Sequence, residues 1–323
     1  MSGMTRRTFL STAAVLGVPG ASRAQPAFPA KPIRLVIPFP AAGAADFLGR
    51  VIGERMAGVL GQSVLVENRP GAGGNIGTMA VAQGEHDGYT VLLSGVNIAV
   101  NRFLFRSLPF NAERDFEPVA MIATVPNLMI VPASLPVNTV AEFVAYAKQR
   151  PGKINYASIG SGTSLHLAGA QFNSAAGIDM EHVPYKETSA ANADLMAGRV
   201  DVMFQTISAA VGMARGGRVK ALAVTSDRRV GAFPDVPTLQ QAGVDLVTVG
   251  WFGLFVPTGV PPTYRAILER EALAAVRDPV VAARISESGS IPRGLDGNAF
   301  AAFIKEEVPR LQEVVRKAGI EPA

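Results

Sequence analysis

Two strand-to-helix junctions carry the chemistry this chain can offer a small molecule. They are Phe39-Pro40-Ala41-Ala42-Gly43-Ala44-Ala45-Asp46 and Ser158-Ile159-Gly160-Ser161-Gly162-Thr163-Ser164. Both consist mostly of small residues, so a ligand can approach the main chain closely. Each feeds a helix start, where unpaired N–H groups and the helix dipole favour an anion. Neither contains Lys or Arg. A carboxylate held there would rest on peptide N–H groups and hydroxyls. Micromolar affinity corresponds to about 8 kcal/mol. Hydrogen bonds to a charged group net roughly 1.5–3 kcal/mol each, so about four to six of them suffice even against association costs of several kcal/mol. The same loops also read as tight turns and caps, with Asp46 as a capping residue.

Other motifs fall short of a recognised chemistry. Asn68-Arg69-Pro70-Gly71-Ala72-Gly73-Gly74-Asn75 is glycine-rich, but no Gly-Lys-Ser/Thr follows, so it is not a phosphate loop. Gly160-Ser161-Gly162 meets Leu165 where a dinucleotide fingerprint needs glycine, and it lacks the spacing of a hydrolase elbow. His86, His166 and His182 show no metal-ligand spacing and read as structural. Lys186 and Glu187 form either a solvated pair or a cleft edge. Asp194 and Asp201 bracket a helix-to-strand turn and read as cap and turn residues. No paired-carboxylate site follows from spacing, and no cofactor is implied.

The absence of cysteine excludes disulfides, thiolate metal sites, cysteine nucleophiles and a lipidated cysteine anchor. Of 323 residues, 48% are hydrophobic and 17% charged, which supports a large core and two domains. The net charge of +4 comes mostly from residues 1–24, which hold three arginines and no acid. Nucleic-acid binding and electrostatic adhesion to a membrane therefore find little support. Thr5-Arg6-Arg7-Thr8-Phe9-Leu10, a short apolar stretch to Val18, and Ser22 and Ala24 at the −3 and −1 positions read as a cleavable export signal. The arginine pair resembles the twin-arginine motif, with a general secretory signal as the alternative. Cleavage near Ala24 would release a chain with no stable membrane anchor, since no other apolar run is long enough to span a bilayer.

The junctions must be held by α/β units. Strands are expected at Pro32 to Phe39, Val64 to Val66 and Tyr89 to Leu93, with helices at 46–60 and 75–83 between them. A second unit follows, with helices at 139–149, 164–176 and 190–197 and strands at 154–158, 183–185, 200–204 and 219–225. Helices at 262–277, 279–288 and 298–318 close the chain, the last with a kink or break at Pro309. The strand-like stretches Val125 to Val131 and Val247 to Val256 flank the middle unit. The simplest topology has both crossing between two lobes, 25–126 plus 248–323 and 127–247, with a ligand cleft between them.

Taken in order, further segments resemble one family, the substrate-binding receptors of tripartite tricarboxylate transporters (the Bug or TctC family). They include Pro32-Ile33 through Pro38-Phe39-Pro40, Val66 through Asn75, Asp87-Gly88-Tyr89-Thr90, Asp115-Phe116-x-Pro118-Val119 and Tyr156-Ala157-Ser158. Later come Gly162-Thr163 with His166-Leu167-Ala168-Gly169, His182-Val183-Pro184-Tyr185-Lys186, Val200-Asp201 with Met203-Phe204, Ala221 to Thr225, and Pro234-Asp235-Val236-Pro237-Thr238. The resemblance spans nearly the whole chain after the signal. It implies a type II periplasmic-binding-protein fold, with two α/β lobes joined by two crossing strands. It further implies capture of a small organic acid in the cleft, no catalysis, and delivery to a membrane permease driven by an ion gradient.

Two departures bear on the ligand. Ala42 stands where the family usually has glycine, and its methyl would narrow the pocket or bar a positive φ. Glu187 stands where glycine is usual, and its carboxylate would disfavour a dianion or attract an amine. The expected ligand contacts are Pro40, Ala41, Ala42, Gly43 and Ala44 in the first junction and Ser158, Gly160, Ser161, Gly162 and Thr163 in the second. Asn75, His166, Asp46 and Asp201 complete the set, the two aspartates orienting loops or water. The rival readings are an exported serine hydrolase using Ser161 or Ser164 with His166, and a solute receptor serving a sensor kinase.

Overall fold

The computed structural model describes residues 28–317 and 320–322. The expected export signal at residues 1–24 lies outside them. The first unit runs β1 (Ile33–Ile37), α1 (Ala44–Leu60), β2 (Val64–Asn68), α2 (Asn75–Ala82) and β3 (Thr90–Gly95). β1 pairs in parallel with β2 and β3. Two short helices, α3 (Asn97–Val100) and α4 (Ala112–Asp115), then lead into β4 (Phe116–Pro132), a strand of 17 residues.

The middle unit comprises α5 (Val140–Lys148), β5 (Ile154–Ser158), α6 (Ser164–Ala176), β6 (Met180–Pro184), α7 (Thr188–Met196), β7 (Val202–Thr206), α8 (Ile207–Arg215) and β8 (Val219–Val224). β5 is parallel to β6 and β7. The chain returns through β9 (Val249–Pro257), α9 (Pro262–Arg277), α10 (Pro279–Glu287), β10 (Ile291–Asp296) and α11 (Gly297–Lys317). Helix α11 passes through Pro309 without the expected break. Pro309 and Lys305 are both exposed, so the ring faces water and water can satisfy the carbonyl that the proline leaves without a donor.

The strand order is β2-β1-β3-β9-β4-β7-β5-β6, with β8 and β10 also on β4. Strand β4 changes partners in mid-course. Phe116 to Pro126 pair with β9, and Asn127 to Ile130 pair with β7. Thr225 ties the crossing segments together. Its hydroxyl accepts from Asn127 N at 2.9 Å, and its carbonyl accepts from Thr248 N at 2.8 Å. Regular strand geometry in the return segment begins only at Val249, and β9 pairs with β3 and β4.

Both sheet faces are covered, as the continuous apolar runs of the parallel strands require. Leu48 and Ile52 of α1 pack with Leu268 and Ile285 on one face of the first half, and Phe300 and Leu311 of α11 pack on the other. Phe143 and Phe172 cover one face of the second half, and Leu195 and Ile207 the other. Strand β10 and helix α8 escape the sequence reading. In β10, Pro292 and Gly294 disguise the strand, and its register on β4 breaks between Pro292 and Leu295.

Candidate functional site

The first junction is held by its own aspartate. Asp46 is buried in the first turn of α1. Its Oδ2 accepts from Ala42 N at 3.1 Å, and its Oδ1 lies 2.9 Å from the Arg50 guanidinium. Burial alone would raise this carboxyl, but Arg50 and the Ala42 amide outweigh it and hold the group below the usual carboxylate range. Ala42 sits at φ 62°. Its methyl therefore does not bar the left-handed backbone, which costs roughly 1–2 kcal/mol for a residue with a Cβ. The Asp46 bond helps hold it there. The first intrahelical bond of α1 runs from Phe47 N to Gly43 O at 3.0 Å, so the N–H groups of Ala44, Ala45 and Asp46 have no partner within the helix.

The second junction is similarly self-braced. Thr163 Oγ1 donates to Gly160 O at 2.7 Å and accepts from His166 N at 3.4 Å, capping α6. Gly162 N donates to His166 Nδ1 at 3.2 Å, and Gly160 N donates to Ser158 Oγ at 3.1 Å. The Gly162 amide, expected to serve a ligand, is thus engaged inside the loop.

The two junctions converge on one cavity, which admits the centre of a water molecule over about 30 Å³. From the first junction it is lined by Phe39, Pro40, Gly43, Ala44 and Ala45, and from the second by Ile159, Thr163, Ser164 and Leu165. Thr188 opens α7, and Gln205 and Thr206 end β7 where α8 begins. Val96 and the β9 residues Gly250, Trp251 and Phe252 complete the wall. Among the described residues, four helix starts therefore meet at the cavity and no charged side chain lines it. Thr188 Oγ1 is buried there without a hydrogen-bond partner among the described residues. Such an atom is costly unless something satisfies it.

Several expected residues stand elsewhere. Ala41 and Ala42 shape the first turn but do not line the cavity. Ser161 packs on Gly73, and Asn75 Oδ1 accepts from Asn101 Nδ2 at 2.6 Å. Asp201 accepts from Asn155 N at 2.8 Å, at the opposite end of β5 from Ser158. Ser158 and Gly160 bond to each other within the second junction and His166 braces it from α6, and none of the three lines the cavity. Lys186 and Glu187 are exposed and absent from the lining. Sequence reasoning missed Thr188, Gln205, Thr206 and the β9 residues. Thr188 precedes the helix expected at 190–197, and Gln205 and Thr206 follow the strand expected at 200–204, so all three fall just outside the expected elements.

The hydrolase geometry is not formed. His166 gives its Nδ1 to a glycine amide, and its ring lies 4.2 Å from that of His182. The serine–histidine contact among these residues is Ser158 Oγ to His182 Nε2 at 2.6 Å. Ser158 is fully buried, and neither imidazole bonds a carboxylate among the described residues. An acyl-transfer triad needs an accessible serine and an orienting acid.

The model of the tripartite tricarboxylate transporter family receptor matches residues 48–320. The chain belongs to this receptor family. It is similar to the BugT protein of Bordetella pertussis, with 34% identity over 295 residues, 90% of each chain. Among solved structures, the periplasmic binding protein BugD aligns at 33% identity with a TM-score of 0.87, covering 92% of this chain and 100% of BugD. An R. palustris protein with adipate aligns at 33% identity and a TM-score of 0.89, covering 92% of this chain and all of that one. MatC from Rhodopseudomonas palustris, with bound malate, aligns at 31% identity and a TM-score of 0.84, covering 89% of this chain and 100% of MatC. The chain is thus a solute receptor with an α/β periplasmic-binding-protein fold. Membership places it among transport receptors, not enzymes. No described helix is long and apolar enough to cross a membrane.

Proposed function

We propose that this receptor captures a small carboxylate-bearing solute in the cavity between the two junctions and delivers it to a tripartite tricarboxylate-type permease. The single observation that carries this reading is the meeting of four helix starts around a cavity with no charged side chain among the described residues. Peptide N–H groups at helix starts carry partial positive charge and suit an anion. Thr188 and Ser164 add hydroxyls, while Phe39, Val96 and Phe252 would surround an apolar carbon chain. Adipate and malate in the similar structures are acids of this kind. The lobes are 25–126 with 248–323 and 127–247, a division supported by the partner change of β4 after Pro126. Export to the periplasm would use Arg6-Arg7 and cleavage near Ala24.

A thermal-shift screen tests the reading, because a ligand that binds only the native state raises the melting temperature. Adipate, malate, tricarboxylates, amino acids, aromatic acids, uncharged sugars and amines would be compared, followed by calorimetry. A rise with one or more acids is expected. A rise confined to uncharged sugars or amines would overturn it.

A further inference from the structure

The second junction has an unusual means of support. Gly160 and Gly162 take φ values of 116° and 80°, so its backbone has no side chains of its own to anchor it at these positions. Its direction is set from behind by a stack of three rings. Tyr156 and His182 face each other across β5 and β6. Their centroids are 5.0 Å apart, and His182 lies 4.2 Å from His166. Each end of the loop hangs from this stack. His182 Nε2 meets Ser158 Oγ at 2.6 Å, and Ser158 Oγ accepts from Gly160 N and donates to Gly160 O. His166 Nδ1 accepts from Gly162 N. The Gly162 bond assigns the His166 tautomer, with Nδ1 bare and the proton on Nε2, while Ser158 and His182 share one hydrogen in either direction.

We infer that His166 is the positioning residue of this loop, and that solute capture requires its bare Nδ1 to fix the Gly162 amide and so to aim Thr163 and Ser164 into the cavity. The inference rests on the cavity being the solute site. A proton on Nδ1 would set two donors against each other, and the Gly162 peptide would have to turn. Tyr156 faces the imidazole pair from β5 and His182 faces His166 from β6, while Glu181 of β6 acts on Tyr156. Burial pushes His166 down to about 4. Burial, aided by His166, pushes His182 down to about 3. The loop is therefore pinned through the neutral range and released in acid.

The test compares wild type, His166→Asn and His166→Ala in the whole receptor. Asparagine offers Oδ1 as an acceptor and does not titrate. Amide hydrogen exchange at Gly162 is read without ligand, and adipate and malate affinities are read by calorimetry. At pH 7, wild type and His166→Asn are expected to protect Gly162 alike, and His166→Ala to exchange about tenfold faster and bind about tenfold more weakly. Below about pH 4 the wild type is expected to lose affinity relative to His166→Asn. That ratio cancels protonation of the diacid itself. Equal Gly162 exchange in all three proteins overturns the inference whatever the solute. So does faster exchange with unchanged affinity, or an acid loss shared by His166→Asn. If no variant binds either diacid at pH 7, the affinity arm is read with the acid that most raises the melting temperature in the screen; the carboxylate reading fails if no acid does, and Gly162 exchange decides in either case whether His166 holds the loop.

Discussion

The α-carbon of Gly73 faces the Ser161 carbonyl so closely that a Cβ on Gly73 would overlap that oxygen. A Cβ on Gly162 would likewise overlap Asn101 Oδ1. Asn101 Nδ2 in turn donates to Gly73 O at 3.0 Å and to Asn75 Oδ1 at 2.6 Å. The glycine-rich segment Asn68 to Asn75 is thus the seat on which the second junction rests. Gly73→Ala should push that junction off its seat. Its φ of 62° adds strain of roughly 1–2 kcal/mol for any residue with a Cβ. Adipate or malate affinity should fall about tenfold or more, with an enlarged radius in small-angle scattering. Unchanged affinity and radius would show that this contact does not hold the two segments in place.

Ala42 is the converse case, a side chain present where glycine would be easier. Ala42→Gly removes left-handed strain of roughly 1–2 kcal/mol and adds unfolded-state freedom of about 0.4–1 kcal/mol. A net gain of about 0.5–1 kcal/mol should raise the melting temperature by about 1–3 °C. Ala42→Val should do the reverse, because a β-branched residue tolerates positive φ least. Thermal unfolding of the two variants beside the wild type measures both, and a lower melting temperature for Ala42→Gly would refute the strain argument.

The two junctions were legible because small residues between an apolar strand and an amphipathic helix leave few other readings. The parallel α/β units followed from apolar runs such as Ile33 to Ile37 and from the stripe Val140, Phe143 and Ala147. Which junction atoms remain free was not legible. Asp46 and His166 consume the amides of Ala42 and Gly162 through contacts four residues apart, where periodicity shows only a helix start. Thr188, Gln205 and Thr206 reach the cavity because β5, β6 and β7 lie side by side, which is tertiary information. Asp201, expected to orient a loop or water at the site, closes the far end of β5 instead.

The imidazole pair sets the acid limb of stability. Both folded values, about 4 for His166 and about 3 for His182, lie below the ordinary 6.5. The unfolded chain therefore takes up protons first. The stabilisation from these rings is complete above about pH 6.5 and is lost as pH falls toward 4 and then 3, roughly a few kcal/mol in all. Asp46, also held low in the fold, adds its loss only below the ordinary carboxylate range. The melting temperature should decline steadily from pH 7 to 4, and His166→Asn with His182→Gln should flatten that decline. A parallel decline in the double variant would assign the acid sensitivity to other groups.

Thr163 separates support of the loop from contact with the solute. Its hydroxyl donates to Gly160 O at 2.7 Å and caps α6 through His166 N, while the residue also lines the cavity. Thr163→Val keeps the shape and removes both bonds. Loss of a helix cap costs about 0.5–2 kcal/mol, and Gly160 O loses its shortest donor while keeping Ser158 Oγ at 3.2 Å. Stability should therefore fall by about 1–2 kcal/mol, and diacid affinity should fall with it by about 1–3 kcal/mol as the loop loosens. Thr163→Ser restores the hydroxyl and should recover both. Denaturant unfolding and calorimetry on the same two variants decide the matter. If valine lowers affinity and leaves stability untouched, the hydroxyl serves the solute directly and not the cap.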